Sequence, residues 1–421
     1  MGKLYLGTQE ITPFIYDGGS APQIIPREIS GAGVVQTPAE AFDYTLDSTA
    51  TSVANYGMYY GLYNSAGVRA VDCSSLTSAN GSFCMASFLR NSSATSIDLS
   101  NVTTIGQNSM EYLAAGDTSL TSVRLGKVRT VSTWGLRNAF QGCTGLTAIS
   151  MRSLNTVGNY GMQYAFDGCS NLASYDFTYL YTINQYGLQY AFQNCTSLTS
   201  ASFWALDSLP NQYALSNAFK GCTGLTTASF RILNSVTGAQ ALSNCFDGCT
   251  SLQTLTMSSL TTLGANQGAQ YLCRGCTSLT SIDFRNLKTI SQQYGFYYAF
   301  DGCSNLTSIN FSSLQSASQQ QVFAYAFRGC RSLVTVSFPA LTSVTGSNLF
   351  QRAFQNCTSL TTISFPVLSS FSSYKNQFSN MLQGCSNVTV HFPAAIQSVI
   401  GSWADVTAGF GGTNTTVLFD L

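Results

Sequence analysis

Apolar and polar positions recur along this chain with a fixed long period. The stretch Gln189–Phe203 reads QYAFQNCTSLTSASF, and close copies stand at Gln163–Phe177, Tyr297–Phe311 and Gln351–Phe365. Within the copy around Cys195, Leu198, Ala201 and Phe203 are apolar among polar neighbours. The alternation that ends in Ala201 and Phe203 is the two-residue period of a short strand with one buried face. Leu206 and Leu209 follow at a three-residue interval, as at a tight bend. Before the Cys, Leu188, Ala191 and Phe192 stand at i, i+3 and i+4, which predicts one face of a short helix.

Anchoring each copy on its Cys places the repeats. The anchors are Cys143, Cys169, Cys195, Cys222, Cys249, Cys276, Cys303, Cys330, Cys357 and Cys385, spaced by 26, then 27, then 28 residues. Stepping back by 26 reaches Asp117, Asn91 and Ser65, so about 13 turns run from about residue 50 onward. A strand and a short helical piece cannot bury their apolar faces alone. Stacking such units builds one continuous core, which is the logic of a solenoid.

The phrases AFDGCSNLTSINFSSLQSA (299–317) and AFRGCRSLVTVSFPALTSV (326–344) resemble leucine-rich repeats of the BspA-like type over roughly residues 52–421. The resemblance implies a right-handed solenoid, an α/β repeat with a parallel sheet on one face and short helical segments on the other. It implies a role in adhesion and binding and leaves the ligand open. The period of 26–27 exceeds the commoner form of that family, and the surplus is read as a longer convex helical segment. Three divisions follow: an attachment or capping segment at 1–50, the solenoid at 51–384 and a C-terminal capping repeat at 385–421. Near the N-terminus KLYLGTQEIT, read as strand, turn, strand, is similar to a phrase of phage and prophage tail and appendage proteins.

Only 9% of the 421 residues are charged, against about 25% in a typical domain, and the formal net charge is zero. Nothing here suits nucleic acid or an anionic membrane. No apolar run reaches the ~18 residues of a membrane span, and no secretory h-region opens the chain.

The fourteen Cys all fall on core registers: ten anchors, with Cys73, Cys84, Cys245 and Cys273 at other inward positions. Buried thiols stacked turn on turn are expected, not disulfides, and no metal or other cofactor. His391 is the one histidine, which excludes His-dependent triads elsewhere. Asp72 and Asp98 share an outward register one strand spacing apart, about 5 Å, the separation of a retaining glycosidase pair. An outward Asp on a solvated strand is more often a plain surface group, so no enzyme is expected.

Two variable sets remain as candidate binding residues. Nine and five residues before the anchor lie Tyr160 and Tyr164, Tyr186 and Tyr190, and Tyr294 and Tyr298. On a helix these project outward and meet each other. Tyrosine suits recognition, and equally could seal the outer edge of the core. On the strand face stand Arg152, Trp204, Arg231 and Arg285. The function expected is non-enzymatic: a phage appendage, located on the virion, that recognises a bacterial surface glycan or protein and joins other virion proteins through its N-terminal segment. A bacterial cell-surface adhesin, a structural virion component without ligand, and a glycan depolymerase using Asp72 and Asp98 stay open, as does a homo-oligomer.

Overall fold

The structure, a computed structural model, describes residues 4–6, 9–11, 41–371, 377–400 and 409–421. Pro13, Pro22, Pro26 and Pro38 of the N-terminal segment lie outside them. The chain forms a parallel-sheet solenoid of about 13 turns, in two compact units, Met1–Leu198 and Thr199–Leu421.

Each regular turn carries a three-residue strand, a corner and a two-residue strand. In the first unit the three-residue strands run from Ser96–Asp98 to Ser174–Asp176, hydrogen-bonded to their neighbours in parallel and in register. Their central residues Ile97, Val123 and Ile149 point into the core. The strands are this short because the chain must turn at the next apolar residue. Leu180 N–H returns to the Phe177 carbonyl at 3.1 Å, closing the corner. At several corners an outward Asp or Asn ends the strand and caps the bend. Asp176 Oδ1 accepts the Thr178 N–H and Asn310 Oδ1 the Ser312 N–H, as Asx turns do. In the second unit the strands Ser200–Ser202 to Ser308–Asn310 form a five-stranded sheet, and the two-residue strands a seven-stranded one.

At the N-terminal side, β1 (Leu4–Leu6) pairs antiparallel with both β2 (Gln9–Ile11) and β3 (Phe42–Leu46). β3 in turn lies parallel to the strand Val68–Asp72 of the first repeat. The strand–turn–strand reading of this segment therefore appears as a hairpin at the edge of the first sheet.

The expected helical segments are not there. Among the described residues, helical conformation is confined to the C-terminal region, as at Ala394–Ile396 and Gln397–Ile400. The repeats carry instead a run of consecutive tight turns. In the turn ending at Cys169, the N–H groups of Gln163, Ala165 and Asp167 return three residues back, to the carbonyls of Tyr160, Met162 and Tyr164. The intervening N–H groups of Met162, Tyr164 and Phe166 leave the turn for Gly187, Gln189 and Ala191 of the next, at 2.8–3.0 Å. Every fourth residue is left-handed: Tyr160, Tyr164 and Gly168 have φ of 54°, 55° and 74°. Each is the third residue of a turn, where a type II turn requires positive φ. The period of four brings Leu188, Ala191, Phe192 and Cys195 inward as a helix would, and all four are fully buried.

This pattern also corrects one anchor. Left-handed Asn64, Asn91 and Gly116 precede Ser65, Ser92 and Asp117. The anchor of that early turn is therefore Ser92, not Asn91, and the local spacings are 27 and 25.

All fourteen thiols are buried and none is in a disulfide. The anchor thiols have a hydrogen-bonding task. Cys169 Sγ–H donates to the Phe140 carbonyl at 3.1 Å and Cys195 Sγ–H to that of Phe166 at 3.2 Å. The Phe166 carbonyl also receives the Cys169 N–H. A small apolar side chain with one weak donor thus ties each turn to the one before.

Candidate functional site

The left-handed positions nine, five and one residues before the anchor form three columns up the turn face. Asn and Gly hold many of them, as at Asn138, Asn217, Asn244 and Gly142. These residues tolerate positive φ with little strain; a bulky side chain there is a true outlier. The tyrosines singled out from sequence all sit in this conformation: Tyr160, Tyr164, Tyr186, Tyr190, Tyr294 and Tyr298, with φ between 53° and 58°.

In the first unit they stack. Tyr160 and Tyr186 lie ring on ring at 4.5 Å, and Tyr164 and Tyr190 at 4.6 Å with planes 3° apart. Trp134 extends the first column, 5.9 Å from Tyr160. Between the columns Gln163 donates to Gln189 Oε1 at 2.7 Å. Beside them Asp167 accepts from Gln141 at 3.0 Å and Gln193 at 3.3 Å. Burial pushes the Asp167 carboxyl above its ordinary range, and those two amides only partly offset it. The four rings are half-buried: each covers its neighbour and leaves an edge to solvent.

In the second unit Tyr298 stacks on Tyr325 at 4.4 Å and on Tyr271 at 5.4 Å. Tyr294 meets Tyr297 edge-on at 5.3 Å. Partial burial, then Tyr297 and Tyr325, push the Tyr298 phenol up to about 12. Alongside runs a column of charges two residues before the anchor: Lys220, Asp247, Arg274, Asp301 and Arg328. Arg274 and Arg328 each grip a carboxylate with two nitrogens, the Nη2 contacts both 2.7 Å. Their guanidinium groups lie 4.7 and 5.0 Å from the rings of Tyr271 and Tyr298. Sequence reasoning missed this column, although its alternation of sign at 27-residue spacing is readable.

On the strand face the four candidates separate. Arg152 is exposed but holds Asp176 of the next rung at 3.0 Å. Arg285 is paired with Asp283, two residues before it in the same turn. Trp204 and Arg231 come together, with the guanidinium 5.8 Å from the indole centroid.

Asp72 and Asp98 do sit opposite each other in register. Both are tied into the turns that follow their strands. Asp72 accepts the Ser74 N–H, and Asp98 the Ser100 N–H while bridging to Arg124 at 3.1 Å. Burial would raise the Asp98 carboxyl, but the Ser100 contacts and Arg124 outweigh it and hold it below the ordinary range. Held ionised, Asp98 is not suited to act as the general acid of a glycosidase pair. The thiols are equally unreactive: burial lifts Cys273 to about 11 and Cys169 to about 12, far from the thiolate range. Among the described residues no cluster of His, Cys, Asp and Glu could hold a metal ion, and no helix is long and apolar enough to cross a membrane.

The chain is similar to several solved leucine-rich repeat structures. A leucine-rich repeat protein from Bacteroides ovatus is 21% identical, with 82% of this chain and 88% of that one covered and a TM-score of 0.38. A leucine-rich cell surface protein from Faecalibacterium prausnitzii is 15% identical, covering 87% and 83%, with a TM-score of 0.33. The pneumococcal vaccine antigen PcpA is 14% identical, covering 91% and 95%, with a TM-score of 0.36. No curated protein matches the chain in sequence. The family model for the BspA type leucine rich repeat region matches overlapping segments, 117–245, 188–319, 216–352 and 269–404, and indicates no catalytic activity. These matches span residues 117–404, more than half of the chain: the chain belongs to the BspA-type leucine-rich repeat family.

Proposed function

We propose that the chain is a non-enzymatic recognition module acting at a bacterial surface, carried on a phage or prophage appendage, with its tyrosine ladders as the surface that takes hold of a glycan or protein. The observation that carries this reading is the strain. A left-handed non-glycine residue costs about 1–2 kcal/mol, and the same two registers hold Asn in several other turns, as at Asn138, Asn217, Asn244 and Asn348, and Gln at Gln240, Gln267 and Gln321. Ring stacking returns about 0.5–1.5 kcal/mol per pair, so stability alone gives little reason to prefer Tyr to Asn. Strained residues gathered on one half-exposed face point to use.

The test is the double change Tyr186→Asn, Tyr190→Asn, which relaxes the backbone and removes the rings. The melting temperature should move by a few degrees at most. Attachment to target cells should weaken by about tenfold per ring, or 1–2 kcal/mol each. A large fall in melting temperature, with attachment lost only in proportion to unfolded protein, would make the ladder a seal over the core and sink the reading. The phage assignment rests on the KLYLGTQEIT phrase, and the N-terminal segment is the part proposed to join other virion proteins. Tail or capsid genes beside this one support it; a sorting signal in a longer reading frame supports a bacterial adhesin using the same surface.

A further inference from the structure

We propose that Trp204 and Arg231 form a subsite for an acidic sugar on the strand face of the second unit, independent of the tyrosine ladders. Nine residues after the anchor, the fold asks for little: other turns of this unit place Ser258, Ser312, Pro339 and Pro366 there. Trp204 in that register is 51% exposed, and Ile232 beside Arg231 is 43% exposed. A large indole held in solvent is not explained by packing.

The charge beside it is likewise uncommitted. Arg274, Arg285 and Arg328 of the same unit each hold a carboxylate. Arg231 makes no ion pair with a carboxylate among the described residues; its guanidinium rests over the indole. An arginine in this position presents parallel N–H donors that match a carboxylate, while the indole offers a flat apolar surface to the C–H face of a pyranose. Both demands are met at once by a sugar that carries a carboxylate, such as a uronic acid. The Arg231 rung and the one after it add hydroxyl donors: Thr227 and Thr254 are exposed at successive positions of the sheet. A polymer of acidic sugars can therefore extend from the Trp204–Arg231 pair across the strands, from rung to rung.

The probe is a set of oligogalacturonates, with neutral dextran and a glycerol-phosphate polymer as comparators, titrated onto the purified full chain. The wild type should bind the oligogalacturonates, and more weakly as salt rises. Trp204→Ala and Arg231→Gln should each weaken binding by about tenfold, and Arg231→Lys by less than Arg231→Gln. Both side chains are exposed, so an unchanged melting curve verifies that each variant folds. Absence of binding by the wild type, equal binding of dextran, or unaffected binding by Trp204→Ala overturns the proposal. Binding of the glycerol-phosphate polymer alone overturns the acidic sugar in favour of a bare anion site. The readout is soluble and needs no cells, so its failure is distinct from a failure of the tyrosine reading, which is scored by attachment.

Discussion

Asp117 stands where later turns carry a buried thiol, and it gives the solenoid a pH dependence that can be calculated. Its side chain is fully buried. Oδ2 accepts the Ser92 hydroxyl at 2.7 Å and Oδ1 the Ser119 N–H at 3.1 Å. The carboxylate lies within electrostatic reach of the Cys143 thiol, and no cation pairs with it among the described residues. Burial therefore lifts the carboxyl from 3.8 to about 6, against the pull of those hydrogen bonds. The folded state holds the proton more tightly than the unfolded chain. Stability from this group is thus fully present below about pH 4, declines as pH rises through about 6, and is flat above. A gap of roughly two pH units at about 1.4 kcal/mol each amounts to about 3 kcal/mol. Asp117→Asn keeps the shape and removes the titration, since the Ser92 hydroxyl can turn to accept from the amide. Local opening free energies of the turns around residues 92–120, measured by amide hydrogen exchange between pH 4 and pH 7.5, should fall in the wild type relative to the variant across that window. A wild-type-minus-variant difference that stays constant with pH would refute a buried, uncompensated carboxyl.

Two further outcomes follow from the core. Phe192→Ala removes a fully buried ring stacked on Phe166 at 5.3 Å and should cost about 3–5 kcal/mol. The loss should appear first as faster exchange in its own and adjoining turns, and a uniform rise along the chain would contradict nearest-neighbour stacking. The thiols, all buried, should resist a thiol reagent in native protein and react nearly completely after denaturation; a native mass short by hydrogen pairs would reveal disulfides.

The sequence carried the repeat, its period and the inward residues because burial is decided by spacing, and Leu188, Ala191, Phe192 and Cys195 are inward in either geometry. It did not distinguish helix from turn ladder for the same reason: periods of 3.6 and 4 agree over eight residues. Composition held the missing signal. Asn, Gly and Tyr recur every fourth residue at 160, 164 and 168 and again at 186, 190 and 194. Asn and Gly weaken a helix at those places and suit positive φ. The Ser92 anchor was missed because Ser at 92 and Asn at 91 both look like plain polar residues until their dihedral angles are known. Of the candidate site, the tyrosine columns were legible through their 26-residue recurrence. The commitment of Arg152 and Arg285 to neighbouring carboxylates was not, because it depends on which outward side chains face each other across rungs.

The alternation of amide bonds in the turn run has a mechanical consequence. Half of those N–H groups point along the stacking direction, as do the strand bonds, so within a unit neighbouring rungs are fastened to each other on more than one side. A load pulling the two ends of a unit apart falls on the outermost rung, whose few bonds open in sequence rather than together. Each rung that peels away releases a length of slack chain before the next is loaded. A stack of rungs fastened this way should yield in small steps under load.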